Sequence, residues 1–336
     1  MHQPASANYR LGILYSLVTA GLYATQEPLS FPAARHLNTI QFVCLTQIAL
    51  LVSIPLVTGR GASRRDLVAL LTDRANYVPL AVIFAIGLSG TLLYNLGLSH
   101  AHPIIISAIL NLSPFWAALA ALAIAKVPIP VSPFVFFGCF AGAFAGAMTV
   151  AWSQIGDGNK PNLAELGENL VQGTWVYAIP VPLCSALGGT LIGRWFGGYR
   201  ESAAVAANFL FANVILIPAT FLILYRQGEL NFGHELGAAA LMVLGTVIAA
   251  SVGRIVYQIA LTVTAGDNGF VMMFLNLVPA LTAFISLALS LWIADLRFTL
   301  DEMFFAGSAL IVASLFLFSL RSSRPGARPA EGLSQT

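Results

Sequence analysis

Ten mostly apolar stretches dominate this chain, at about 10–33, 37–57, 77–98, 104–125, 133–152, 172–193, 203–224, 237–262, 269–293 and 302–320. Each approaches the ~20 residues a helix needs to cross a ~30 Å hydrocarbon core. Charge, proline or glycine separates them, and the segments between are short. Only 9% of the 336 residues are Asp, Glu, Lys or Arg, against ~25% in soluble domains. A soluble fold has no way to cover so much apolar surface with so few charges. The chain reads as an all-α polytopic membrane protein, which excludes soluble enzymes, nucleic-acid binders and disordered regulators.

Ten spans put both chain ends on one face, and basic residues choose which. With the ends cytoplasmic, inner segments carry Arg10, Arg60, Arg64, Arg65, Arg74, Lys126, Arg194, Arg200, Arg321, Arg324 and Arg328. Outer segments then carry only Arg35, Lys160, Arg226 and Arg297. Residues 1–9 and 321–336 become cytoplasmic tails, the latter disordered by composition, and 154–171 becomes an external loop. The first span reads as retained and not as a cleaved signal peptide. Cys44, Cys139 and Cys184 lie far apart inside apolar runs and read as core residues.

The chain repeats itself. Tyr94-Asn95-Leu96-Gly97-Leu98 returns as Tyr257-Gln258-Ile259-Ala260-Leu261, and Asn111-Leu112-Ser113-Pro114 returns as Asn276-Leu277-Val278-Pro279. The motifs occur in the same order, late in the third and early in the fourth span of each half. Residues 10–153 and 172–320 thus form two five-span units. An odd number of spans makes the second unit enter the membrane from the opposite side. Such inverted repeats suit a transporter, because two similar halves can exchange inward-open and outward-open roles.

Ionisable groups inside a span are costly and invite a functional reading. Arg254 lies deep in the eighth stretch, either as a fork for a substrate carboxylate or phosphate or as half of a structural ion pair. Tyr257, three residues on, shares nearly the same face. Glu27 precedes Pro28 and Pro32 in the first stretch, where proline disturbs the helix. It is the candidate proton-coupling group and a candidate partner for Arg254, unless it is simply solvated at the outer interface. Pro28, Pro114 and Pro279 mark kinks, the last two in motifs that either offer carbonyls to a ligand or serve packing. His100 and His102 read as solvated loop residues, two ligands being too few for a metal site. Gly138, Gly142 and Gly146 form a small-xxx-small face for close packing, within the fold or in a homodimer.

Ten spans, paired five-helix units, short loops and the Asn-Leu-x-Pro segments resemble the drug/metabolite transporter superfamily, in its EamA-like branch. Tyr23-Ala24-Thr25-Gln26 stands where that branch has Trp-Gly-Ser/Thr-Asn, and the Tyr94 and Tyr257 segments match its aromatic-x-x-Ala-Leu pattern. The resemblance implies that the first, third and fourth helices of each unit line a cavity. That places Tyr23, Thr25, Gln26, Tyr94, Asn95, Asn111, Tyr257, Gln258 and Asn276 beside Arg254 as substrate-binding candidates.

The expectation is a non-enzymatic secondary transporter of a bacterial inner membrane. It would export a small organic metabolite, such as an amino acid or related amphiphile, by alternating access with proton coupling. No GxxxxGK[ST] sequence is present to support an ATP-driven pump. No cofactor, metal or nucleic-acid partner is expected; the lipid bilayer and a small-molecule substrate are. The alternatives are a multidrug or cation efflux protein on the same scaffold, and a membrane enzyme or scaffold that transports nothing.

Overall fold

A computed structural model describes residues 8–59, 61–129, 131–154, 174–230, 235–264, 268–298 and 300–322. Residues 1–7, 155–173 and 323–336, which hold most of the two expected tails and of the expected external loop, lie outside them. Helices make up the described fold, with no strand among the described residues. Lipid offers backbone groups no partner, and a helix satisfies them within the segment.

In chain order the helices are α1 (Tyr9–Ala24), α2 (Gln26–His36), α3 (Thr39–Thr58), α4 (Ala62–Thr72), α5 (Tyr77–His100), α6 (Pro103–Leu110), α7 (Ser113–Ala120) and α8 (Pro133–Ser153). There follow α9 (Val181–Phe196), α10 (Glu201–Gln227), α11 (Leu236–Val247), α12 (Arg254–Val263), α13 (Asn268–Leu275), α14 (Val278–Leu289) and α15 (Glu302–Ser322). Among the described residues, 8 helical segments are long and apolar enough to cross a membrane. The protein is a multi-pass membrane protein.

Two of the ten expected spans, 10–33 and 269–293, are not in that set: α1 alone has 16 residues, and Met273–Leu289 is a shorter apolar helix. The first breaks at Thr25, between α1 and α2. Pro28 has no N–H for the Ala24 carbonyl, and the Thr282 hydroxyl donates to that carbonyl instead at 3.4 Å. Thr25 Oγ1 turns back to the Leu22 carbonyl at 2.7 Å. The ninth breaks between α13 and α14, just before Pro279. A matching break separates α6 from α7 before Pro114, where Ser113 Oγ donates to the Leu110 carbonyl that proline leaves free. One helix was not expected: α4 buries Leu67 and Leu70 while Arg64 and Arg65 stay exposed, an amphipathic link between α3 and α5.

The helices pack in a recurring pattern. α8 lies along α15, α3 along α10, α5 along α9, α1 along α12, and α6 against α14. Glycine sets the closest of these approaches. A Cβ at Gly146 would come within 2.7 Å of the Gly307 carbonyl oxygen, and one at Gly307 within 2.7 Å of the Gly146 carbonyl oxygen. Gly142 also faces α15, its Cβ position meeting Ser314 Oγ at 2.5 Å, whereas Gly138 has open space. Two of the three glycines on that face therefore serve packing inside the chain. Around this seam Phe115, Phe136 and Phe318 are buried together, with ring centroids 4.8 Å apart for Phe115–Phe318. On the outside, Phe134, Val214, Phe284 and Trp292 are largely exposed, as befits a surface that faces lipid and not water.

Candidate functional site

A cavity of about 790 Å³ runs among α2, α3, α5, α9, α10 and α11. Its inner end is formed by Gln26, Glu27 and Ser30 on α2, Phe42 on α3, Tyr94 on α5 and Leu110 on α6. Its other end is formed by Phe196, Gly197, Tyr199, Glu201 and Arg254, where the Glu201 side chain is 53% exposed. The wall is thus exposed at Glu201 and buried at Glu27.

Arg254 is aimed by its surroundings. A π-helical turn, Ile248–Gly253, precedes it and shifts the register of the following side chains. Gly253 allows the close approach of Tyr23, whose Cε1 would lie 2.8 Å from any Cβ there. The Arg254 guanidinium forms an ion pair with Glu201 at the head of α10, and Gln258 Nε2 donates to the other oxygen of that carboxylate at 3.0 Å. Tyr23 and Tyr257 are within electrostatic reach of both charges. The structure thus gathers Tyr23, Arg254, Tyr257 and Gln258 at the mouth. Arg254 takes Glu201 as its partner, in place of the pairing with Glu27 envisaged from sequence.

Glu27 is 5% exposed and so is no solvated interface residue. Its Oε2 is buried without a hydrogen-bond partner, and it lines the cavity. Ser30 and Tyr94, also in the cavity wall, are its neighbours. Gln26 joins them; Thr25 is spent on the break between α1 and α2.

The three asparagines sit elsewhere. Asn95 is buried behind the wall. Asn111 Nδ2 donates to the Ser107 carbonyl at 2.8 Å, and Asn276 Nδ2 donates to Ser319 Oγ on α15 at 3.3 Å. Both motif asparagines therefore tie down the breaks before Pro114 and Pro279, the packing role weighed above.

Beyond the inner end the protein is sealed. Phe31, Leu98, Ala101, Ile105, Ile106 and Leu296 are buried in one cluster. Ser107 and Thr282 hydroxyls meet across it at 3.1 Å. His102 is a correction to the expectation of a solvated loop residue. Its Nδ1 accepts from the Ile104 N–H at 3.4 Å, which leaves the Nε2 proton to the Leu296 carbonyl at 3.2 Å. Its ring lies 5.7 Å from that of Phe31 and 5.3 Å from that of Phe298. Burial lowers the imidazole to about 4, with the Arg35 charge acting the same way against the bond to Leu296.

Sequence reasoning missed Glu201, Asn208 and the glycines of α9 that line the cavity. Glu201 stands beside Arg200 in a polar stretch that reads as a loop, so only the acid itself marked it. Cys184 is a free thiol in the cavity wall, unlike the buried Cys44 and Cys139.

No family model matches the chain. No curated protein matches it. Among solved structures, the crystal structure of a protein is similar with a TM-score of 0.56, at 17% identity, over 93% of this chain and 97% of that one. That likeness establishes a shared fold over nearly the whole length, and the fold alone.

Proposed function

We propose that this chain is a secondary active transporter of the drug/metabolite type. In this reading ten membrane crossings form two inverted five-helix units that carry a small organic metabolite by alternating access. The cavity carries the proposal. At about 790 Å³ it falls within the ~300–1,000 Å³ typical of small-molecule sites. In this reading it opens at the Arg254–Glu201 end and is closed behind Glu27, as one state of an alternating-access cycle must be.

The helix packing supports the repeat. If α1–α2 corresponds to α9, α3 to α10, α5 to α11–α12, α6–α7 to α13–α14 and α8 to α15, the contacts map onto themselves. The pairing of α1 with α12 becomes that of α9 with α5, while α3·α10, α6·α14 and α8·α15 each map to themselves. The EamA-like assignment rests on the paired sequence motifs. With both ends cytoplasmic the mouth faces the cytoplasm, which suits loading for export. Glu27, buried beside the cavity, is placed to carry a proton through the cycle.

The test is reconstitution in proteoliposomes with an imposed pH gradient and a panel of radiolabelled metabolites. Saturable, protein-dependent flux that responds to the gradient is expected. Its absence across the panel would leave a non-transporting membrane enzyme or scaffold as the better account.

A further inference from the structure

Away from the cavity, three segments of the sealed end meet on one imidazole. His102 is the N-cap of α6, and both its ring nitrogens are engaged: Nδ1 accepts from the Ile104 N–H at 3.4 Å, and Nε2 donates to the Leu296 carbonyl at 3.2 Å. Leu296 belongs to the short turn Ala294–Leu296 after α14, so this bond runs from the first expected five-span unit to the second. The same ring lies 5.7 Å from that of Phe31 on α2 and 5.3 Å from that of Phe298. His102 is only partly buried, at the edge of the cluster that holds Phe31, Ala101, Ile105 and Leu296, where protons from that face reach it.

The arrangement suits the neutral ring alone. An imidazolium has two N–H donors and no acceptor. A proton on Nδ1 would therefore face the Ile104 N–H, and α6 would lose its cap. The charge would sit at a helix N-terminus, where the backbone dipole favours anions, and between apolar rings that replace water poorly. Arg35 on α2, its guanidinium 5.0 Å from the Phe31 ring centre, adds a like charge. The bond to Leu296 is the contact a cation would keep, but burial outweighs it, and the ring stays neutral down to about pH 4. Of the other titratable groups on these segments, His36, His100, Arg297 and Glu302 are exposed. Asp301 accepts from the Phe304 N–H at 2.8 Å, and Glu27 lines the cavity.

Resting on the transporter reading, we propose that His102 is a proton-operated latch on the sealed end: the neutral ring ties α6 and α2 to the Ala294–Leu296 turn, and a proton arriving from that face drives the ring out and opens the seal.

Spin labels on the full chain in detergent report the opening. Cys184→Ser removes the cavity thiol, and labels go on His100→Cys and Leu300→Cys, two exposed positions close in sequence to His102 and Leu296. Pulsed electron paramagnetic resonance should find one separation at pH 8 and a second, longer one at pH 4.5. A ring with a pKa of about 4 when latched and the ordinary 6.5 when released raises the ratio of open to sealed by about 70-fold between these pH values. His102→Gln keeps one donor and one acceptor but takes no proton, and should hold the shorter separation at both. His102→Lys, a permanent cation, should show the longer one already at pH 8, which keeps the test alive if His102→Gln does not fold. Glu27→Gln and Asp295→Asn should respond as the parent does. Unchanged helical circular dichroism at pH 4.5 separates opening from acid unfolding.

A parent separation that ignores pH, a response that survives in folded His102→Gln, or one abolished by Glu27→Gln or Asp295→Asn overturns the proposal. The two readings fail separately. Opening by acid through His102, with no flux in proteoliposomes, sinks the transporter and leaves the latch. Saturable flux with a separation indifferent to pH does the reverse.

Discussion

Arg254 and Glu201 close an ion pair at the cavity mouth, 53 residues apart in sequence, with Gln258 bonded to the same carboxylate. The two charges are unequally sheltered: the side chain of Arg254 is 27% exposed and that of Glu201 53%. Removing the acid strands the more buried cation, so Glu201→Gln should destabilise more than Arg254→Gln. The partial exposure limits the coupling in a double-mutant cycle to about 1 kcal/mol or less. Thermal unfolding in detergent measures it, and equal losses from the two single variants would contradict the asymmetry.

Close approach of α8 and α15 makes Gly146 and Gly307 intolerant of any side chain. Leucine at either position must push apart backbones that leave 2.7 Å for a Cβ, a cost of about 1–3 kcal/mol. Gly138→Leu, on the same face of α8 but in open space, should unfold like the parent. A Gly138 variant as damaged as the Gly146 one would mean that the glycine face serves something other than this seam.

Cys184 should be the thiol that a small maleimide reaches in the folded protein, because it lines the cavity while Cys44 and Cys139 are buried. Mass spectrometry of intact protein should find one adduct, mapped to Cys184. Gly188→Leu, four residues and about one turn further along α9, should slow the reaction by narrowing the approach. Equal labelling of all three thiols would place the cavity elsewhere.

His102 should impart a pH dependence to stability. Its folded pKa, about 4, lies below the ordinary 6.5, so the unfolded chain binds the proton first as pH falls. The neutral ring's contribution is complete above pH 6.5 and is lost progressively down to about pH 4, ~3 kcal/mol over the interval. Unfolding midpoints between these values should fall for the parent and fall less for His102→Gln. Parallel slopes would show that the clasp on Leu296 does not titrate as described.

Much of this architecture is legible without coordinates. The apolar runs locate the helices, and the breaks fall in the Thr25–Pro28, Asn111–Pro114 and Asn276–Pro279 segments, where a proline deprives the carbonyl four residues earlier of its N–H; proline alone does not mark a break, since Pro55 and Pro218 lie inside continuous helices. The site is legible only in part. Arg254 stands out as a charge in an apolar run, but Glu201 beside Arg200 does not. Gly146 and Gly188 look alike on the page: one is pressed against another backbone and the other faces empty space.

The amino-acid order by itself determined that this is a helical, multi-pass membrane protein and that two short motifs recur along it. These follow from burial in lipid and backbone hydrogen bonding, which are settled locally along the chain. Tertiary structure alone decided that Arg254 is neutralised, that Glu27 is left unpaired beside a cavity, and that His102 is enclosed by aromatic rings. Charge pairing and cavity shape depend on distances between segments far apart in sequence, and no local pattern encodes those distances.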